Sequence, residues 1–246
     1  MDKLKQLADI IKESDNIVAF TGAGVSTESN IPDFRSPGGL YSTLRYGYQP
    51  ETIISRTFFF EHPEIFFDFY RNQMVYKDAQ PNDCHKALAK LEECGKLKAV
   101  ITQNIDGLHQ KAGSKNVLEL HGTIYSNHCI NCGRFFDLDY ILKTTGVPIC
   151  KKCGGIVKPD VVLYEESLNA RLLAKAAQYI AEADVLLVMG SSLVVYPAAG
   201  LVDYYKGDKL ILINKSSTPY DSRANLIIRD NVGDVMHHVM QIIASE

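Results

Sequence analysis

The sequence predicts an α/β fold: a Rossmann-like doubly wound parallel sheet, with a smaller domain made of a helical module and a zinc-ribbon module. Three observations carry the prediction. From Ile17 onward, short apolar runs alternate with helically patterned stretches; a glycine-rich turn follows the first such run; and two Cys-x-x-Cys pairs interrupt the alternation.

In chain order, Leu4, Leu7, Ala8, Ile10 and Ile11 recur at helical spacing, so residues 1–14 read as an amphipathic first helix without the apolar core or cleavage site of a signal peptide. Strands are expected at Ile17–Phe20, Leu97–Ile101, Val117–Leu120, Val185–Met189, Lys209–Ile213 and Asn225–Ile228. Helices are expected at Asn82–Cys94, Ile105–Ala112, Ser167–Ala183 and Gly233–Ala244. Residues 36–79 are rich in aromatics (Phe58, Phe59, Phe60, Phe66, Phe67, Phe69, Tyr70), and Pro63 suits the first turn of a helix, so this stretch reads as a helical insertion. Residues 122–159 combine four cysteines with Gly and Pro punctuation and weak periodicity, the pattern of a metal module. The large domain is then assembled from residues 1–35, 80–121 and 160–246, and the small one from 36–79 and 122–159.

With 246 residues, 46% of them hydrophobic, the chain can bury a core without a disulfide scaffold. A formal charge of −3 and no long Lys/Arg run argue against nucleic acid and anionic membranes as partners. No apolar run approaches the roughly 18–20 residues that span a bilayer, so a cytoplasmic location is expected, where clustered cysteines suggest metal or redox chemistry before disulfides.

Cys129-x-x-Cys132 and Cys150-x-x-Cys153 can close a tetrahedral site, with Gly133 and Gly154-Gly155 free to turn behind each pair. One structural Zn2+ is expected there, stabilising the fold by on the order of 10 kcal/mol and leaving no open catalytic position. Local disulfides or a redox pair are the competing readings, and Cys84 and Cys94 read as packing residues of a helix. Thr21–Thr27 contains Gly22-Ala23-Gly24 directly after the first strand, which admits a pyrophosphate at the start of a following helix or serves simply as a tight turn. It lacks the third glycine of the usual dinucleotide fingerprint, having Thr27 there. Position strengthens it: Gln103, Asn104 and Asp106, then His121, then Gly190-Ser191-Ser192, then Asn214 also follow strands, and in an open α/β sheet such ends share one crevice. A histidine in that crevice suits general-base chemistry near neutrality.

These residues resemble the sirtuins, NAD-dependent protein lysine deacylases, over nearly the whole chain. The resemblance rests on Gly22-Ala23-Gly24-Val25-Ser26, Ile31-Pro32-Asp33-Phe34-Arg35, Thr102 to His109, His121-Gly122, the four cysteines, Gly190-Ser191-Ser192 and Asn214. It implies a bacterial or archaeal-like catalytic core in which NAD is consumed as co-substrate and His121 acts as general base. By the same resemblance Ile105 and Asp106 hold nicotinamide, Gln103 and the catalytic Asn104 the ribose region, and Phe34 shields the reacting carbon. Ala23, Thr27, Arg35, Ser191 and Ser192 are placed around the phosphates and neighbouring ribose; Asn214 meets the adenosine ribose, and Asn231 and Val232 flank the adenine. Acetyl-lysine proteins or peptides are the implied partners, pairing with Val162, Leu163 and Tyr164, which otherwise read as part of a buried strand; nicotinamide is the implied product and inhibitor, and O-acetyl-ADP-ribose the other product.

The chain departs from the family at Asn30, where Gly is common but Asn tolerates positive φ, and at Tyr164-Glu165-Glu166, where the family has Phe-Gly-Glu. Sirtuins that take dicarboxylic acyl groups carry a Tyr and an Arg where this chain has Phe67 and Tyr70, so an uncharged acyl group is favoured, with Arg71 close by. The alternatives are mono-ADP-ribosylation and a different acyl preference; a dehydrogenase or a nucleic-acid-binding zinc ribbon fits the motifs less well.

Overall fold

A computed structural model describes residues 2–245. The chain opens with helix α1 (Lys3–Glu13), capped by the Asp2 carboxylate on the Leu4 N–H, and strand β1 (Ile17–Thr21). Short helices α2 (Pro50–Ile53), α3 (Arg56–Glu61) and α4 (Pro63–Phe69) follow, the last with Pro63 in its first turn and a wider π-helical turn at Tyr70–Met74. Next come α5 (Asp83–Glu93), β2 (Leu97–Thr102), α6 (Leu108–Ala112) and β3 (Val117–Glu119). The cysteine region holds β4 (Gly122–Cys129), β5 (Phe135–Phe136), α7 (Leu138–Lys143) and β6 (Val157–Val161). The chain closes with α8 (Ala170–Glu182), β7 (Val185–Met189), β8 (Leu210–Ile213), β9 (Leu226–Ile228) and α9 (Val232–Ser245).

The six expected strands form one parallel sheet in the order β3-β2-β1-β7-β8-β9. The order reverses between β1 and β7, which opens a crevice at their carboxyl ends. Strand alternation sends Ile17 and Ala19 into a core with Leu7, Leu88 and Met236 from α1, α5 and α9; it sends Val18 and Phe20 into a second core with Ala176 and Ile180 of α8. Covered on both faces, β1 and β7 are buried at every residue, which is why they read as continuous apolar runs.

A third core joins both insertions: Phe58, Phe59, Phe66 and Phe67 pack with Ile124, Leu138, Ile141 and Val157. The cysteine region is not strand-poor, as its weak periodicity suggests, but carries a three-stranded sheet of order β5-β4-β6. β6 runs to Val161. Two further expectations need correction. Residues 105–107 are a loop, because Gly107 (φ 70) is the left-handed cap that starts α6, and α8 begins at Ala170, where the Asn169 side chain accepts from the Arg171 and Leu172 N–H groups. Among the described residues no helix is long and apolar enough to cross a membrane.

Candidate active site

The site begins where the loops after β1 and β7 touch. The Gly22 N–H donates to the Met189 carbonyl (3.1 Å), Gly24 N–H to the Gly190 carbonyl (2.8 Å), and Gly190 N–H to the Ile213 carbonyl (2.9 Å). A Cβ on Gly22 would lie 2.8 Å from the Gly190 oxygen, and one on Gly190 (φ +57) 2.4 Å from the Val25 nitrogen. Loop-on-loop contact therefore requires these glycines before any phosphate approaches them. The turn continues as two 3-10 turns, Ala23–Val25 and Thr27–Ser29, in place of the expected helix. It ends at Asn30, which adopts the left-handed conformation (φ 62) that its departure from glycine was expected to tolerate.

The loop after β2 docks against the same turn. Gln103 donates its N–H to the Thr21 carbonyl (3.0 Å) and its side-chain amide to Ser191 Oγ (2.9 Å). Asn104 Nδ2 donates to the Gly22 carbonyl and to Ser26 Oγ, both at 3.1 Å. Ser26 Oγ in turn donates to Asp106 (2.7 Å), whose other oxygen accepts from the Leu108 N–H (2.9 Å). Burial pushes the Asp106 carboxyl above its ordinary range, opposed by those two donors.

His121 follows β3. Its Nδ1 lies 2.9 Å from the Gln103 carbonyl, which can only accept, so Nδ1 carries the proton and Nε2 keeps its lone pair. Burial lowers the imidazole below its usual value, against the opposing pull of that carbonyl, so the neutral form prevails at neutral pH. Only glycine can follow it: a Cβ on Gly122 (φ +77) would fall 1.8 Å from the Asp160 oxygen.

One cleft of about 840 Å³, within the range of ligand sites, brings the expected positions together. Ala23, Thr27, Phe34 and Arg35 line it from the β1 side; Gln103, Asn104, Ile105 and Asp106 from the β2 loop; Ser191, Ser192, Asn214, Asn231 and Val232 from beyond β7. His121 and the strip Val162, Leu163 and Tyr164 line its other side. The strip is not an internal strand of the sheet. Val162 N–H donates to the His121 carbonyl (2.9 Å), Tyr164 N–H to the Ile54 carbonyl (3.0 Å), and Arg56 N–H to the Tyr164 carbonyl (2.9 Å).

Sequence reading missed Tyr41, whose ring meets Phe34 at 5.2 Å and whose hydroxyl lies 3.2 Å from that of Tyr164; only long-range pairing places it there, so no local signal marks it. Phe67 and Tyr70 are fully buried in the small core and do not line the cleft. Nor does Arg71, whose guanidinium donates to the Ile141 (2.9 Å) and Gly146 (2.5 Å) carbonyls.

The four cysteines converge: their sulfurs all lie within 4.8 Å of one another, with Cys129 to Cys153 at 3.4 Å and Cys132 to Cys150 at 3.8 Å. Ligand bonds of about 2.3 Å in a tetrahedron place neighbouring sulfurs about 3.8 Å apart, so the donor set fits zinc. Each pair sits on the same knuckle: Gly133 N–H donates to the Cys129 carbonyl and Gly154 N–H to the Cys150 carbonyl, both at 2.9 Å, with both glycines at positive φ. Cys84 is buried as expected, whereas Cys94, expected to pack within the helix, is exposed at the C-terminal cap of α5.

Comparison with known proteins gives concordant results. The sequence model of the Sir2 family matches residues 22–197. A protein of Clostridium acetobutylicum described as an NAD-dependent protein deacetylase is 60% identical over 242 residues, covering 98% of this chain and 99% of that one. A solved complex of Sir2 with a p53 peptide and NAD+ superposes with a TM-score of 0.88 at 39% identity, covering 99% of each chain. A Sir2 histidine-to-alanine variant with a deacetylated p53 peptide and 3′-O-acetyl ADP ribose superposes at 0.89 with 39% identity, covering 97% of this chain and 98% of that one.

Proposed function

This chain belongs to the Sir2 family and is an NAD-dependent protein deacetylase; from that premise we propose the part each residue of the cleft plays. The reaction moves an acetyl group from a lysine side chain to the ADP-ribose portion of NAD and consumes one water, giving free lysine, nicotinamide and O-acetyl-ADP-ribose. The observation that carries the assignment is His121: its anchored Nδ1 leaves Nε2 as an acceptor in the cleft shared with Asn104 and Asp106.

His121 Nε2 takes the proton of a ribose hydroxyl, as general base. Asp106, already braced by Ser26 and Leu108, accepts from the nicotinamide carboxamide beside Ile105, while Asn104 and Gln103 orient the ribose. Phe34 covers the reacting carbon and excludes water that would otherwise hydrolyse NAD. Ala23, Thr27, Arg35, Ser191 and Ser192 hold the phosphates and neighbouring ribose, Asn214 the adenosine ribose, and Asn231 and Val232 the adenine. Holding these parts in a reactive pose supplies much of the rate.

An acyl-lysine peptide enters as an extended segment beside Val162, Leu163 and Tyr164, in the manner of strand addition. An uncharged acyl group suits the site, because Arg71 is committed to two carbonyls away from the cleft. Nicotinamide, released where Asp106 lies, acts as product and inhibitor. The large domain (1–35, 80–121 and 160–246) carries NAD, and the helical (36–79) and zinc (122–159) modules form the small domain. Cys129, Cys132, Cys150 and Cys153 hold one structural zinc, for which a reducing, cytoplasmic setting is suitable.

Mass spectrometry of purified protein with an acetyl-lysine peptide tests the reading. Peptide, nicotinamide and O-acetyl-ADP-ribose are expected in equal amounts only with NAD, and none in His121→Ala. Nicotinamide release with the peptide still acetylated would point instead to ADP-ribosylation or another acyl group.

A further inference from the structure

Two adjacent side chains on the strip after β6 reach different elements: one the cleft loop that bears Phe34, the other helix α3. The Tyr164 hydroxyl lies 3.2 Å from that of Tyr41. Tyr41 is tied to the loop bearing Phe34, through ring contact at 5.2 Å and through its N–H, which donates to the Phe34 carbonyl at 2.8 Å. The next residue, Glu165, sits at φ 73, a left-handed conformation that costs a glutamate energy and that glycine adopts freely. Its carboxylate oxygen Oε2 accepts from both the N–H (2.9 Å) and the hydroxyl (2.7 Å) of Thr57, in the first turn of α3. That N–H is one of the helix donors without an intrahelical partner. Strained backbone persists where its surroundings over-determine it, and here the strain aims a charged acceptor at two donors at the start of α3.

Resting on the deacetylase reading, we propose that Tyr164 and Glu165 are positioning residues for the acyl-lysine segment, forming a clasp that presets the strip between the Phe34 loop and α3. The strip already pairs with Ile54 and Arg56 through the Tyr164 backbone, and the Glu166 carboxylate accepts from the Leu163 N–H (2.9 Å) and from Lys158 (3.0 Å). The clasp adds one tie on each side, so a peptide does not have to order the strip as it binds.

The experiment is steady-state kinetics of the zinc-loaded enzyme with acetyl-lysine peptide and NAD, with Tm measured on the same samples. Glu165→Gly removes the carboxylate and relieves the left-handed strain. It is expected to keep or raise Tm, to raise peptide KM by about five-fold, and to leave kcat and NAD KM within about two-fold. Glu165→Gln, which retains an oxygen acceptor for Thr57, is expected to restore peptide KM. Tyr164→Phe is expected to raise the KM of both peptide and NAD by about three-fold, because its partner is tied to Phe34. Wild-type peptide KM in Glu165→Gly overturns the clasp. So does a fall in Tm with equal loss in the Gln variant, which marks a purely structural role. Failure of the underlying reading looks different: the wild-type enzyme itself would not remove acetyl in the presence of NAD.

Discussion

Replacing Gly22 with Ala tests whether the β1 and β7 loops need glycine for their own contact. Gly22 has an ordinary extended backbone (φ −134, ψ −171), so alanine incurs no conformational penalty there. Its Cβ, however, would lie 2.8 Å from the Gly190 oxygen and 2.9 Å from Ser191 Cβ, about half an ångström inside the ordinary contact range that begins at 3.4 Å. Neither neighbour yields easily, since hydrogen bonds from Gly22, Gly24 and Gly190 tie the two loops to each other and to β8. Overpacking of about 1–3 kcal/mol, plus about 1 kcal/mol for a loosened hydrogen bond, gives about 2–4 kcal/mol. At about 2–4 °C per kcal/mol for a chain of this size, Tm should fall by roughly 5–15 °C. Gly95→Ala is the control: it stands at φ +75 with nothing within 4 Å, so it reports the left-handed cost by itself, about 1 kcal/mol. Differential scanning calorimetry without NAD decides the matter. If Gly22→Ala melts with the wild type while NAD KM rises, the glycine serves the phosphates and the packing argument is wrong.

The remaining predictions concern protons and metal. Because burial holds His121 below its usual value, the acid limb of kcat/KM should lie below pH 6.5; a limb at or above 6.5 would mean that the base is another group. Cys132→Ser should release zinc, measured by a colorimetric chelator, with loss of near-UV circular dichroism and of activity; a folded, active, zinc-free protein would refute the structural role. His85, buried against His109 with ring centroids 4.8 Å apart, is pushed down to about 4 by burial. As pH falls from 6.5 toward 4 the unfolded chain takes up this proton first, so about 3 kcal/mol of stability should be lost across that window. Urea titrations at pH 7 and pH 4.5 should show the loss in wild type and a smaller one in His85→Gln; equal losses would refute the assignment.

How far the sequence revealed all this depended on which interactions act locally. The six strands of the large sheet were legible because burial on both faces leaves continuous apolar runs such as Val185 to Met189. The strand-end clusters were legible because an open parallel sheet gathers them at one edge, and the structure does gather them in one cleft. Asn30 was legible from backbone chemistry, and its φ of 62 agrees. The β4 and β6 strands were not: they pair across more than twenty-five residues, Cys129 with Val157, and their less buried positions carry polar residues such as Ser126 and Lys158 that break the apolar pattern. Asp106 falls within the expected helix Ile105–Ala112, whereas Gly107 must adopt positive φ beneath the Tyr125 ring, which a Cβ would approach to 2.5 Å, so the helix starts only after it.

The small sheet also explains how a metal that takes no part in the chemistry can govern it. β4 starts at Gly122, directly after His121, and ends at Cys129; β6 ends at Val161, directly before the strip of Val162, Leu163 and Tyr164. The two strands pair from Cys129 opposite Val157 to Gly122 opposite Val161, with an irregularity between Gly122 and Asn127. One end of this ladder is closed by the cysteine knuckles, the other by the Val162 N–H donating to the His121 carbonyl (2.9 Å). A one-residue slip in a ladder exchanges the faces of every side chain on the strand. Zinc bridging Cys129 to Cys150 and Cys153 opposes such a slip, and so fixes which residue of the strip stands beside His121.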